Sequence, residues 1–498
     1  MHKYKTMQLE LALLLISILF FVSIVADKAG YRFGVPSLLL FLAVGMLFGS
    51  DGFGIEFDNI TMAETVGTIA LCVILFSGGM DTKINDIKPV LAQGIVLSTV
   101  GVLLTALFTG LAIWWILGMT YEAATFGLST SLLLGATMSS TDSASVFSIL
   151  RAKGLRLKNN LKPMLELESG SNDPMAYILT ITLLTYIQSN SEPNYVYATL
   201  LVLSQLVIGA VLGLVFGKLI VLLINKLNIK NDSLYPILVL SSCIFIFSAT
   251  YFLHGNCYLA VYLGGLVIGN STLVHKNSTI KFFDGLTWLF QLIMFLILGL
   301  LVKPHELVPI IVPGLIISFV MIFLTRPLSV YICLLPFRRM LNRERMFISW
   351  VGLRGATPII FAILSLNADI PNARLLFNIV FFCTLVSLIL QGTSLPRVAK
   401  FLHLVGNSRG LKKPEHFDID LPDEIKSAAT EITITQQMLE KGTRLMDIGL
   451  PEKTLAIMVK RENGFFVPTG KSVLKEFDKL LVITDNAERL EDELHIQN

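Results

Sequence analysis

Apolar runs of about 20 residues, each enough to cross a bilayer as a helix, follow one another along most of the chain. They begin near Leu9, Gly34, Val66, Val90, Ala123, Pro163, Thr199, Ser233, Cys257, Phe282, Leu307, Met346 and Leu375. The pattern predicts an all-α polytopic membrane protein with about 13 transmembrane helices. The first run follows a basic start, but it is long for a signal sequence and no small-residue cleavage site follows, so it reads as a retained span. Past Lys400 the pattern changes: residues 401–422 are polar and rich in turn residues, and read as a linker. "EITITQQ", "TLAIMVKRENGFFVPTG" and "KLLVITD" then read as short strands, with Glu462-Asn463-Gly464 as a tight turn. "NAERLEDELHIQ" reads as a closing amphipathic helix. Residues 1–400 are therefore expected to form the membrane domain, and 423–498 a small α+β module.

The loops carry charge in alternation. Lys28 and Arg32, Lys83 and Lys88, Arg151 to Lys162, Lys226 and Lys230, Lys276 and Lys281, and Arg338 to Arg345 lie in every second loop. "SDGFGIEFDNITMAE" and "QSNSEPNY", in between, hold no basic residue. Basic loops stay in the cytoplasm, which predicts an outside N-terminus and a cytoplasmic C-terminal module in a cell (inner) membrane. Lys3 and Lys5 run against this orientation and are outnumbered by the later loops.

Three stretches break the apolar pattern within spans, where a charge is costly and marks function by default. The first is "LELESGSNDPMAYILTITLLTYI", Leu165 to Ile187. A helix entering near Pro163 at about 1.5 Å per residue carries Asp173 to about mid-membrane. Ser169 and Asp173 share one face at i, i+4, and Glu168 and Asn172 share the next. Pro174 removes a backbone donor at that depth. The second stretch, "GATMSSTDSASV", crowds Thr137, Ser139, Ser140, Thr141, Asp142, Ser143 and Ser145, more than a lipid-facing helix holds. The third, "SWVGLRGATPII", buries Arg354 between glycines, with Thr357 and Pro358 beyond. The second and third read as interrupted helices, seven spans apart and so opposite in direction. Two discontinuous crossing helices at matching places in oppositely oriented halves predict an inverted-repeat transporter. Lys218 and Arg326 sit within long apolar runs and read as snorkelling or capping residues.

Composition narrows the chemistry. The chain is 54% hydrophobic and 15% charged with a mean hydropathy of +0.70, well below the roughly 25% charged residues of soluble domains. A net charge of +3 gives no reason to expect nucleic acid as a partner. The five cysteines have no CxxC or Cys/His spacing, so neither a zinc site nor a disulfide framework is expected, and no cofactor. Neither HExxH nor GxSxG occurs, which argues against an intramembrane enzyme. A buried arginine keeps its proton and needs an anion, and Glu168 is the expected partner of Arg354. Asp142 and Asp173 then remain with hydroxyl and carbonyl oxygens, a donor set for a hard monovalent cation. Removal from water favours the uncharged form of a carboxylic acid. A cation and a proton then compete for Asp173, and competition for one site that must be loaded to move is antiport.

"TDSASV", "ESGSNDPMA" and "GLRGATPI" resemble the monovalent cation:proton antiporters, in the branch with Asn-Asp where electrogenic relatives have Asp-Asp. The resemblance spans about residues 10–400. It implies a homodimer of thirteen-span chains and an elevator-like motion of a core domain against a dimerisation domain. It implies that Asp173 carries the ion or proton with help from Asp142, Thr141 and Ser169, that Arg354 and Glu168 form a structural pair, and that Asn172 goes with electroneutral exchange. Many relatives have an acid in the third span in a string like "LFxGG"; here Ser77 stands there. The tail resembles the C-terminal half of the regulator-of-potassium-conductance (RCK-C) domain, with no GxGxxG before it, and a small-molecule or nucleotide ligand is one expectation for it. The whole arrangement resembles bacterial potassium/proton exchangers, which favours potassium over sodium. A sodium/proton antiporter, a tail-gated cation channel and a sodium:solute symporter stand as alternatives.

Overall fold

In lipid, a chain must satisfy its own backbone polar groups, so helices apolar on every side dominate here. The computed structural model describes residues 2–484 apart from 34–35, 121–126, 156, 190–194, 228, 407–428, 440–441, 449, 451–453 and 462–463. Most of the expected linker, two residues of the Glu462-Asn463-Gly464 turn and the expected closing helix lie outside the described residues. The chain divides into two compact units, Met1–Gly406 and Asn407–Asn498.

In the first unit α1 (His2–Phe33), α2 (Ser37–Phe48) and α3 (Ile60–Asp81) come first. Next are a short α4 (Ile84–Ile87), a 3-10 turn (Lys88–Val90), α5 (Leu91–Val96), a π turn (Leu97–Gly101) and α6 (Val102–Thr120). The halves α7 (Leu128–Thr137) and α8 (Ser143–Ala152) are separated by a non-helical break, and α9 (Leu161–Ser189) runs unbroken through Pro174. After α10 (Tyr195–Lys226) the series returns: α11 (Leu234–Phe252), α12 (Cys257–Gly269), α13 (Lys276–Leu301) and a short α14 (Pro304–Leu307). A 3-10 turn (Val308–Ile310), α15 (Ile311–Val320), a π turn (Met321–Thr325) and α16 (Arg326–Leu334) follow. The second broken pair is α17 (Asn342–Trp350) and α18 (Ala356–Asn367), and α19 (Ala373–Ser387) and α20 (Thr393–Phe401) close the unit.

Among the described residues eight helices are long and apolar enough to cross a membrane. Four shorter apolar helices, α2, α7, α12 and α18, fall below that length. Two of these are halves of the broken helices that the polar runs predict. Large apolar side chains such as Phe252, Val312 and Phe319 are exposed, as a lipid-facing surface requires.

The two series match at an offset of about 220 residues, down to single side chains. Pro89 and Pro309 sit in the two 3-10 turns. Asn270, just past α12, accepts from the backbone N–H of Ile84 at 2.9 Å; Asp51, just past α2, accepts from that of His305 at 2.8 Å. Helix α2 crosses α13 at Gly45 and Gly299, and α12 crosses α3 at Gly265 and Gly79. A Cβ on Gly299 would lie 2.4 Å from the Leu42 carbonyl oxygen, and one on Gly79 2.3 Å from that of Tyr262. Backbone faces backbone at both crossings, so no side-chain shift makes room. Gly79→Val and Gly299→Val are each expected to cut the yield of monodisperse protein severely by size-exclusion chromatography, whereas Gly285→Ala, with open space around it, leaves it unchanged.

The second unit holds a four-stranded antiparallel sheet in the order β1-β4-β2-β3, from β1 (Ala429–Thr433), β2 (Thr454–Arg461), β3 (Gly464–Phe466) and β4 (Lys479–Thr484). The strands fall in the three runs read as strands from the sequence. Ile432, Ile434, Val459, Leu474, Leu480 and Val482 form its core. Asp478 is buried and pairs with Arg461 at 2.6 Å, while its carboxylate also accepts from the Lys475 backbone at 2.7 Å. The basic residue before the turn and the acid before the last strand thus hold each other.

Candidate functional site

The two broken helices meet at their breaks: the backbone N–H of Asp142 donates to the Leu353 carbonyl oxygen at 2.8 Å. Gly355 permits this, because a Cβ there would lie 2.4 Å from an Asp142 carboxylate oxygen. A break leaves carbonyls unpaired at one half-helix end and N–H groups at the other, with opposite partial charges. Asp142 answers the positive end. It is the N-cap of α8, accepting from the Ser145 backbone N–H at 3.0 Å and from the Ser145 hydroxyl. Arg354 answers the negative end, with Nη1 donating to the carbonyls of Ser139 at 3.0 Å and Ser140 at 2.5 Å.

That placement corrects the expected ion pair. Glu168 pairs with Arg326 rather than Arg354. Both partners are buried, Arg326 at 2% and Glu168 at 1% exposure, so Arg326 neither snorkels nor caps at a surface. The physical reason is that the carbonyls of Ser139 and Ser140, in the break after α7, lie within reach of Arg354, while the first turn of α16 delivers Arg326 to α9. Arg354 still feels Glu168 and Asp173 through space.

Helix α9 faces the crossing with the polar positions that its spacing predicts. Asp173 is buried; one carboxylate oxygen accepts from the Ser140 hydroxyl and the other from Thr357 Oγ1 at 3.3 Å. The Ser169 hydroxyl donates to the Thr141 carbonyl at 2.6 Å and accepts from the Ser143 backbone N–H at 3.0 Å. Asn172 donates through Nδ2 to Thr141 Oγ1 at 2.5 Å, and its Oδ1 is buried with no partner in the protein. The structure therefore brings Asp142, Asp173, Thr141, Ser169 and Asn172 together at one crossing. Ser140 and Thr357, named earlier only as parts of polar runs, join them as direct partners of Asp173.

A cavity of about 450 Å³ leads to this cluster. Asp142, Ser169 and Asp173 line its inner part, and the exposed Asp81, Arg151 and Asp284, with half-buried Glu166, line its mouth. It opens on the face that carries the basic loop after α8. Ser77 lines the wall, and the next carboxylate of α3 along it stands one turn further on, at Asp81. No group of three or more metal-ligating His, Cys, Asp or Glu side chains occurs among the described residues. The oxygen-only cluster is of the kind that suits a hard monovalent ion with few charged ligands.

Comparison with known proteins agrees with this geometry. The family profile described as "Sodium/hydrogen exchanger, transmembrane" matches residues 15–401. The chain is 39% identical over 483 residues to the K(+)/H(+) antiporter NhaP of Alkalimonas amylolytica, covering 96% of this chain and 82% of that one. It is 38% identical over 467 residues to the K(+)/H(+) antiporter NhaP2 of Shewanella baltica (strain OS223), covering 93% and 79%. Among solved structures, the sodium proton antiporter MjNhaP1 from Methanocaldococcus jannaschii at pH 8 is similar with a TM-score of 0.69 at 23% identity, over 79% of this chain and 99% of that one.

Proposed function

The chain belongs to the transmembrane sodium/hydrogen exchanger family, and from that premise we propose that it exchanges potassium for protons, with sodium as the second candidate cation. It is a transporter and not an enzyme, and it exchanges cations for protons without a cofactor. The observation that carries the reading is Asp173, a buried carboxylate at the inner end of a cavity, beside the crossing of two broken helices. Such a group holds either a proton or a cation, and not both. We assign Asp173 as the shared site, Asp142, Thr141, Ser169 and Asn172 as its support, and the cavity mouth as the cytoplasmic side.

Charge counting supports one-for-one exchange. Near the crossing Asp142, Asp173 and Glu168 oppose Arg326 and Arg354, which leaves one negative charge when all are ionised. A single proton or a single monovalent cation removes it, and an uncompensated buried charge resists transfer. Asn172 adds no further charge. The basic loops argue for an outside N-terminus and a cytoplasmic C-terminus in a cell inner membrane. About 13 spans, a membrane domain over 1–400, a linker over 401–422 and an RCK-C-like module over 423–498 complete the reading. A homodimer with a moving core, and a small-molecule or nucleotide ligand on the tail, belong to it as proposals by family resemblance.

The potassium assignment rests on the two similar potassium antiporters, and it is separable from the mechanism. Everted vesicles loaded with acid and a proton-sensitive dye are expected to release protons on adding potassium, and several times less on adding sodium. A response to sodium alone overturns the cation and keeps the exchange. A response to neither, with the full chain present, removes the reading.

A further inference from the structure

The offset that pairs Gly45 with Gly265 and Gly79 with Gly299 pairs one more set of residues. Asp284 on α13 lines the mouth of the cavity. Its counterpart about 220 positions earlier is Glu64 on α3. Each of these acids faces the end of a half-helix that belongs to the other repeat. Arg151, in the last turn of α8, acts on Asp284 through space. Asn367, the last residue of α18, donates a hydrogen bond from Nδ2 to Glu64. The two acids also flank Asp173 from opposite directions along α9. Glu166 and Ser169 lie between Asp173 and the open mouth, whereas Tyr177, one turn beyond Asp173, lies within electrostatic reach of Glu64. Tyr177 packs against Tyr258, with ring centroids 4.8 Å apart, and against Phe361 at 5.8 Å, so aromatic rings fill the far side where the cavity lies open on the near side.

In a repeat-built transporter the closed side of one state has the geometry of the open side of the other, with the two halves exchanged. We infer that Glu64 is the cation-capturing carboxylate of the opposite, presently closed mouth, the counterpart of Asp284, and that Asn367 holds it while that mouth is shut. The inference rests on the exchange reading and adds residues that the crossing itself does not point to. A carboxylate half-buried in an apolar span and hydrogen-bonded by an amide has a role in this scheme: when α18 moves, the amide leaves and the charge faces incoming ions. The chemistry recognised is that of a hydrated monovalent cation, attracted by a single negative charge near the path.

The test measures potassium dependence separately at each face, in everted and right-side-out vesicles carrying the full chain. Glu64→Gln is expected to raise the half-saturating potassium concentration at the outer face by about three- to tenfold, the size of one lost charge contact in a partly aqueous mouth, with less than about twofold change at the inner face. Asp284→Asn is expected to do the reverse. Glu64→Asp, which keeps the charge, retains outer affinity, and Asn367→Ala, which removes only the latch, does not weaken it. A Glu64→Gln variant that shifts both faces alike, or neither, while the unaltered protein exchanges normally, overturns the inference. Failure of the unaltered protein to exchange at either face removes the exchange reading and the inference with it.

Discussion

Asp173→Asn is expected to abolish potassium-driven proton movement, to the background of vesicles without the protein, while leaving the amount of folded protein unchanged. Asparagine has nearly the same shape as aspartate: its carbonyl oxygen still accepts from one of the two hydroxyls, Ser140 or Thr357, and its amide nitrogen takes the place of the other carboxylate oxygen and donates to the second hydroxyl. What it loses is the charge that binds a cation and the oxygen that binds a proton. A loss of about 3 kcal/mol in cation binding already lowers occupancy at least about a hundredfold at limiting concentrations. Asp142→Asn makes the contrast. Asparagine is as good an N-cap as aspartate, so α8 keeps its cap, and the substitution is expected to weaken exchange without erasing it. Vesicle exchange with protein quantified by immunoblot measures both. Near-normal exchange by Asp173→Asn would remove the assignment of the site.

The buried pair of Arg326 and Glu168 yields the second large effect. Removing one partner leaves a charge in a site that neither water nor a counter-ion reaches, a cost of about 3–5 kcal/mol. Folded proteins are stable by only about 5–15 kcal/mol, so Arg326→Ala and Glu168→Ala are each expected to lower the melting temperature in detergent sharply. Replacing both at once, Arg326→Met with Glu168→Met, is expected to recover most of that loss, because two apolar groups of similar volume leave no orphan charge. Arg354→Met is expected to cost less, since the contacts it breaks are hydrogen bonds to the carbonyl oxygens of Ser139 and Ser140 and not a direct ion pair. Equal destabilisation by the single and double variants would show that packing, and not charge pairing, is what the two side chains supply.

These two effects mark where the sequence speaks and where it is silent. Helical spacing alone puts Ser169 and Asp173 on one face, and polar crowding alone marks the breaks before Ser143 and Ala356; both features are local. Partner choice between two arginines is not local. Glu168 and Arg326 are 158 residues apart, and nothing in either stretch separates a snorkelling arginine from one packed at 2% exposure. Helix length is silent in a related way: α2 and α12, with 12 and 13 residues, are shorter than a full crossing, and their packing on α13 and α3 identifies them as parts of the repeat. The repeat itself is hidden because its shared residues are few. Gly45, Gly79, Gly265 and Gly299 look like any glycines of an apolar run until the backbones are seen to touch. Asp81, Glu64 and Asp284 lie toward helix ends, where charges are ordinary, and acquire meaning only from the cavity and the offset.

The central claim is that one carboxylate holds either a proton or a cation. Purified protein in weakly buffered detergent solution, titrated with potassium chloride while pH is followed, tests it without vesicles, orientation or a gradient. The account predicts proton release that saturates with potassium, grows as the starting pH is lowered toward the range where the site is protonated, and vanishes in Asp173→Asn. Potassium binding measured calorimetrically in the same protein with no proton release, or the same release from Asp173→Asn, would contradict it.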